Sequence, residues 1–188
     1  VAMTGDGVND ILALKEADCS IGMASGSEAV RYVSHLVLLD SNFASMPKVV
    51  AEGRRVINNI QRTSTLFLVK TIFTILLTIM YLVLGKVLPL GIGYPFEASQ
   101  LFLIEFFAIG FPATILALLP NYEKVKGKFL PNVLRSTLPG ALTIVIFHGI
   151  MYGLMQVFNW DQAVYSTITI ILTTTICLFV LYRVSKPF

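Results

Sequence analysis

Beyond residue 64 the chain is dominated by four apolar stretches, near 65–86, 98–119, 137–158 and 163–182. Each is close to the ~20 residues a helix needs to cross a bilayer. Nothing else in the sequence restricts the fold as tightly. A segment in hydrocarbon must satisfy its own backbone hydrogen bonds, which leaves helices and closed barrels, and apolar runs of this length predict helices. An all-α membrane bundle of four spans is therefore expected over 65–188. A hydrophobic content of 55% and a mean hydropathy of +0.76 agree, and membrane lipids become an expected partner.

Charge divides the chain in two. Residues 1–64 hold thirteen of the twenty-five charged side chains. From Pro47, suited to a helix's first turn, a helical pattern runs to Pro89 with Gly53 inside it. Some forty residues at ~1.5 Å each reach about twice the ~30 Å hydrocarbon thickness. Its first part carries Lys48, Glu52, Arg54, Arg55, Asn58, Asn59, Gln61 and Arg62, whereas 65–84 carries Lys70 as its one charge. The pattern is that of a stalk over 47–64 feeding a span. The link 120–136 holds Lys124, Lys126, Lys128 and Arg135 against Glu123, while 85–97 and 159–162 hold Lys86, Glu97 and Asp161. Positive residues favour the cytoplasmic side, so 1–64 and 120–136 are expected there.

A net charge of +3, with basic residues spread among stalk and links, argues against a nucleic-acid partner. Cys19 lies in the polar half and Cys177 in an apolar run, so neither a disulfide nor a metal site is expected of them. In the polar half, apolar runs Val1–Thr4, Cys19–Ala24 and Leu36–Leu39 alternate with helical patterns from Asp10 to Ala17 and Ser27 to Val33. That is β-α-β-α-β, the signature of a parallel α/β sheet. Three short strands make a partial sheet, and the abrupt start at Val1-Ala2-Met3 reads as the end of a buried strand. The chain is accordingly read as a fragment, with 1–46 the last part of an α/β domain.

The run Thr4-Gly5-Asp6-Gly7-Val8-Asn9-Asp10 follows the first strand, at the carboxyl edge where α/β proteins bind ligands. Gly5 and Gly7 allow unusual backbone angles and close approach of a phosphate, and the paired carboxylates suit Mg²⁺. A glycine-aspartate turn that merely caps a helix is the competing reading. The run, followed by Ala13-Leu14-Lys15 and Ala17-Asp18, resembles the hinge motif of P-type ATPases, whose phosphorylation domain is haloacid-dehalogenase-like. Further similarity covers Gly22-Met23-Ala24, Ser27-Glu28-Ala29-Val30, Val37 to Phe43, Glu52-Gly53-Arg54 and Asn59-Ile60. The resemblance implies a translocase that uses ATP, forms an aspartyl phosphate within Asp-Lys-Thr-Gly-Thr and moves cations across a membrane, here a bacterial plasma membrane. That motif is not in these 188 residues, so the fragment alone is expected to be inactive. By the same resemblance Asp6 is the Mg²⁺ ligand beside the phosphoryl group, Asn9 the amide touching it, and Asp10 a carboxylate supporting the loop or a second Mg²⁺ ligand. Gly5 and Gly7 would let the loop approach the phosphate, and Lys15 occupies the family's lysine position. A membrane-anchored phosphatase of the same superfamily and a non-catalytic membrane protein are the alternatives.

Within the spans, ionisable residues are functional candidates by default. Lys70, Glu105 and His148 are the three. Gly110-Phe111-Pro112 predicts a broken helix that exposes carbonyls. Leu103 to Ala113 resembles the P-type segment in which an asparagine, a threonine and an aspartate precede Gly-x-Pro-Ala. Glu105 stands at the asparagine position, but Ala108 and Ile109 replace the threonine and aspartate. Aligned on Asn59, Thr71 and Thr74 stand where asparagine and glutamate are frequent. The transport-site candidates are thus Glu105, Lys70, Thr71 and Thr74, with calcium or another divalent cation the first choice of cargo. Lys70 either pairs with Glu105 as a built-in counter-cation, as a similarly placed lysine does in some proton and potassium pumps, or snorkels to the interface. His148 and the threonines at 167, 169 and 173–175 are expected to hydrogen-bond between helices.

Overall fold

The computed structural model describes residues 1–87 and 93–186. Pro89, expected to close the long helix, lies outside them. The chain divides into two compact units, Val1–Gly53 and Arg54–Phe188, with the division falling inside the stretch 47–64 expected to be a stalk.

The first unit is a parallel sheet of three strands in the order β1-β2-β3, formed by β1 (Ala2–Gly5), β2 (Cys19–Met23) and β3 (Leu36–Leu38). Helices α1 (Ile11–Glu16) and α2 (Glu28–Val33) make the crossovers and contact each other. Leu14 and Val30, one from each helix, are wholly buried with Ile21 and Leu38 of the sheet. Ser27 caps α2, its hydroxyl accepting from the Val30 amide. A 3₁₀ turn over Val8–Asp10 precedes α1, so the helix expected from Asp10 begins one residue later.

Helix α3 (Met46–Val87) is continuous over 42 residues. In the second unit α4 (Ala98–Ile104) and α5 (Phe111–Leu118) flank a π-helical segment, Glu105–Gly110, and α6 (Phe129–Phe158) and α7 (Gln162–Ser185) complete the bundle. Among the described residues four helices are long and apolar enough to cross a membrane, and the protein is a multi-pass membrane protein. Two expectations need correction. The link expected over 120–136 is helical from Phe129 onward, so Arg135 lies in the helix that contains the third span. The second span does not break at Gly110-Phe111-Pro112. Instead it widens into π turns, where Phe111 N–H donates to Phe106 C=O five residues back. The wider turn lets the ladder pass Pro112, which has no amide to give.

Leu66, Val69, Phe73, Leu77 and Tyr81 recur every three or four residues of α3 and form its buried stripe, while Phe67, Ile75, Ile79 and Leu82 stay exposed. They pack with Ile104, Ala108 and Ile109, Ile144 and Tyr152, and Tyr165 and Val180 in one core. Between spans, lipid supplies no hydrophobic driving force, so close packing and hydrogen bonds hold helices together. His148 Nε2 and Thr173 Oγ1 are 2.9 Å apart across α6 and α7, both buried, and the Tyr81 and Tyr165 hydroxyls join α3 to α7. The threonine group divides here: Thr167, Thr169 and Thr175 donate to carbonyls of their own helix instead. Asn159 ends α6 in the left-handed conformation, φ 49° and ψ 47°, which makes the short link to α7 possible.

Candidate functional site

The loop after β1 is organised by Asp10. Its Oδ2 accepts from the amides of Asp6 and Gly7, each at 3.1 Å, and its own amide donates to Gly7 C=O at 3.0 Å. Asp6 C=O accepts from Ser27 N–H at 2.9 Å, which ties the loop to the start of α2. Gly5 and Gly7 do not supply unusual backbone angles. Gly7 is extended at φ −99° and ψ 158°, and the described glycine with positive φ is Gly127. Gly5 is required for space: a Cβ there would lie 2.6 Å from Asp10 Cβ. The carboxylate that orders the loop can approach because residue 5 has no side chain.

Asp10 therefore has two backbone donors on one oxygen, while the Asp6 and Asn9 side chains stand at exposed positions. Among the described residues no group of three or more His, Cys, Asp or Glu could hold a metal by itself. Mg²⁺ does not need one, since it binds through one or two carboxylates together with phosphate and water. One free carboxylate beside a structured loop fits that ion when a phosphate is present. Lys15 lies exposed in the last turn of α1.

In the membrane unit Lys70 Nζ is 2.5 Å from Glu105 Oε2, with the two side chains 29% and 41% exposed. Glu105 opens the π segment. Thr114 Oγ1 donates to Gly110 C=O at 3.0 Å, answering a carbonyl near Pro112. The two candidate threonines differ. Thr71 is exposed and donates to Phe67 C=O at 3.1 Å, whereas the buried Thr74 hydroxyl has no partner among the described residues. Thr74 lies one turn beyond Lys70, on the same helix face, and Thr78 one turn further. With Tyr81, Tyr94 and Leu101 these threonines line a cavity of about 450 Å³. Thr78, Tyr81 and Tyr94, which line this cavity with Thr74, were not among the transport-site candidates, although the four-residue spacing of Lys70, Thr74 and Thr78 is visible in the sequence.

Asn58, named from the sequence only as one of the polar residues of 47–64, acts together with Asn59. Asn59 Nδ2 donates to the Ala117 and Leu119 carbonyls, each at 3.0 Å, and Asn58 Nδ2 donates to Glu123 C=O at 2.9 Å and Asn121 C=O at 3.2 Å. Two adjacent amides on α3 thereby clamp the link that follows α5.

No family model matches the chain. Over its whole length it is 40% identical to the calcium-transporting ATPase CtpE of Mycolicibacterium smegmatis and 41% identical to the probable cation-transporting ATPase exp7 of Streptococcus pneumoniae. Across 83% of its length it is 35% identical to the potassium-transporting ATPase alpha chain 2 of Cavia porcellus, of which it covers 14%. It spans about a quarter of the length of the two bacterial relatives, 25% and 24%.

Proposed function

Since the chain belongs to the P-type cation-transporting ATPases, we propose that it forms the Mg²⁺ end of the phosphorylation site, the stalk and part of the ion pathway of a primary active transporter. ATP hydrolysis through an aspartyl phosphate would drive calcium or another divalent cation across a bacterial plasma membrane. The observation that carries this reading is the match along the entire chain to calcium- and cation-transporting ATPases. The Asp6 loop at the carboxyl edge of a parallel sheet gives it a chemical basis.

Asp6 would hold Mg²⁺ beside the phosphoryl group, and the ion would supply positive charge to the transferring oxygens. Asn9 offers its side-chain amide to the same group, and Asp10 keeps the loop in shape by accepting the Asp6 and Gly7 amides. Phosphoryl transfer depends on such positioning and electrostatics. The stiff path of α3, continuous from Met46 to Val87, is suited to carrying motion into the membrane.

Glu105 is the carboxylate proposed to meet the cation, and Lys70 its resident partner when none is bound. The 2.5 Å contact supports that assignment over snorkelling of Lys70. Thr74, with its unpartnered buried hydroxyl, is the preferred neutral ligand over Thr71.

The test is ATPase activity of the full-length protein, screened across calcium, manganese, magnesium, sodium and potassium, with ATP-dependent uptake of radiolabelled calcium into inverted vesicles. Stimulation and uptake with calcium, lost in Glu105→Gln, is the expected result. Stimulation by none of the cations would remove the transport reading.

A further inference from the structure

Asn58, Gln61 and Arg62 of α3, Ser136 of α6, and Arg183 and Lys186 at the end of α7 surround a cavity of about 230 Å³. One water needs only ~15 Å³ of such space. Among the described residues the lining is one-sided in charge, with three cationic side chains and no carboxylate. Arg62 is 8% exposed, and its Nη2 donates to Lys186 C=O at 3.1 Å, which draws the end of α7 onto α3. Glu123 is the acid whose charge reaches Arg62, but it does not line the cavity. Among the described residues the buried Gln61 side-chain nitrogen has no acceptor, and a buried donor is costly unless something answers it. Lys186 Nζ rests over the Tyr182 ring, 4.4 Å from its centroid, a contact loose enough to yield to an anion.

Depth narrows the choice of anion. The lining segments lie where three spans leave their apolar stretches on the basic side of the bundle, which is the level of lipid phosphates. A guanidinium presents a planar fork of donors that matches phosphate oxygens better than a lone ammonium does. We propose that this cavity is a binding site for a phosphate group, with Arg62 and Gln61 as inner donors and Arg183 and Lys186 at its mouth. The group is either the headgroup of an anionic lipid or a free phosphate ion. An occupant would bridge α3, α6 and α7.

The experiment compares thermal midpoints of the full-length protein in phosphatidylcholine nanodiscs. One arm adds dioleoylphosphatidic acid to the bilayer, and the other adds inorganic phosphate against chloride at equal ionic strength. At least one addition should raise the wild-type midpoint by about 2–4 °C. The rise should fall by half or more in Arg183→Gln/Lys186→Gln, whose positions are exposed. A lipid-only effect identifies the headgroup and a phosphate-only effect the free ion, and either supports the site. No rise in either arm, or one that the double variant keeps in full, overturns it. Phosphate acting at the phosphorylation loop would produce the second of these. Native mass spectrometry of the wild type provides a reading independent of any variant: retained phosphatidic acid that inorganic phosphate displaces supports the site, and no retention of either counts against it.

Discussion

Lys70 Nζ and Glu105 Oε2 meet at 2.5 Å, joining α3 to the first residue of the π segment in the next span. Each charge is the other's partner in an otherwise apolar stretch, where an unpaired ion is expensive. Lys70→Ala should leave Glu105 without a resident cation. The full-length protein is then expected to retain ATPase activity but to become dependent on protons or potassium on the opposite side. Proteoliposomes with defined internal pH and potassium measure this, and activity indifferent to both would dismiss the counter-cation role.

In the loop after β1, the proposed phosphorylation loop, the two aspartates should fail differently. Asp6→Ala removes the proposed Mg²⁺ ligand and is expected to lower turnover of the phosphoenzyme by at least about 100-fold with the protein still expressed and folded. Asp10→Ala removes the acceptor of two amides and should destabilise the loop by about 1.5–3 kcal/mol, the range for hydrogen bonds to charged groups. Acid-quenched phosphoenzyme assays and limited proteolysis separate the two effects. Similar proteolysis of both variants would contradict the division of roles.

Gly140 lets α6 and α7 touch. A Cβ there would stand 2.5 Å from Val180 Cγ2, so Gly140→Ala forces the helices apart at a cost of about 1–3 kcal/mol. Adding Val180→Ala should recover most of the loss. Unfolding in mixed micelles by circular dichroism checks the cycle, which fails if the two substitutions simply add.

Asn59 is 6% exposed and its amide serves the Ala117 carbonyl in the last turn of α5 and the Leu119 carbonyl just after it. Asn59→Ala should loosen the end of α5 at 117–119, with Asn58 still holding 121–123, while sparing the loop after β1. The expected phenotype is ATP hydrolysis kept within about threefold, with less cation moved per ATP. Paired uptake and hydrolysis measurements decide, and a preserved ratio would show that the clamp has no part in coupling.

Ahead of α3, Ser45 Oγ donates to Asp40 and the Asn42 amide donates to Asp40 Oδ1 at 3.2 Å. The Ser45 hydroxyl first, and then that amide, hold the carboxyl below its ordinary range. A depressed carboxyl contributes stability that is present above its unfolded value of ~3.9 and is lost as pH falls through the lower folded value. Hydrogen exchange at amides 43–46 should accelerate in that acid window in wild type. In Asp40→Asn it should show no such step.

The parallel α/β half and the four spans were legible in the residues. Local signals determine them: apolar length for a span, and alternation of strand and helix patterns for a parallel sheet. What depended on how backbones pass one another was not. Gly5 reads as a residue chosen for backbone freedom, and only the position of Asp10 reveals that the need is for space. Gly110-Phe111-Pro112 reads as a break, yet five-residue hydrogen bonding carries the helix through it.

The sequence by itself determined that two ionisable side chains, Lys70 and Glu105, would be carried into hydrocarbon, because spacing along a helix sets depth. Tertiary structure decided that they meet, that Thr74 and not Thr71 keeps a buried unpartnered hydroxyl, and that Arg62, Arg183 and Lys186 converge on one cavity. Residues distant in sequence become neighbours only through helix rotation and crossing, which are set by the packing of every stripe in the bundle at once.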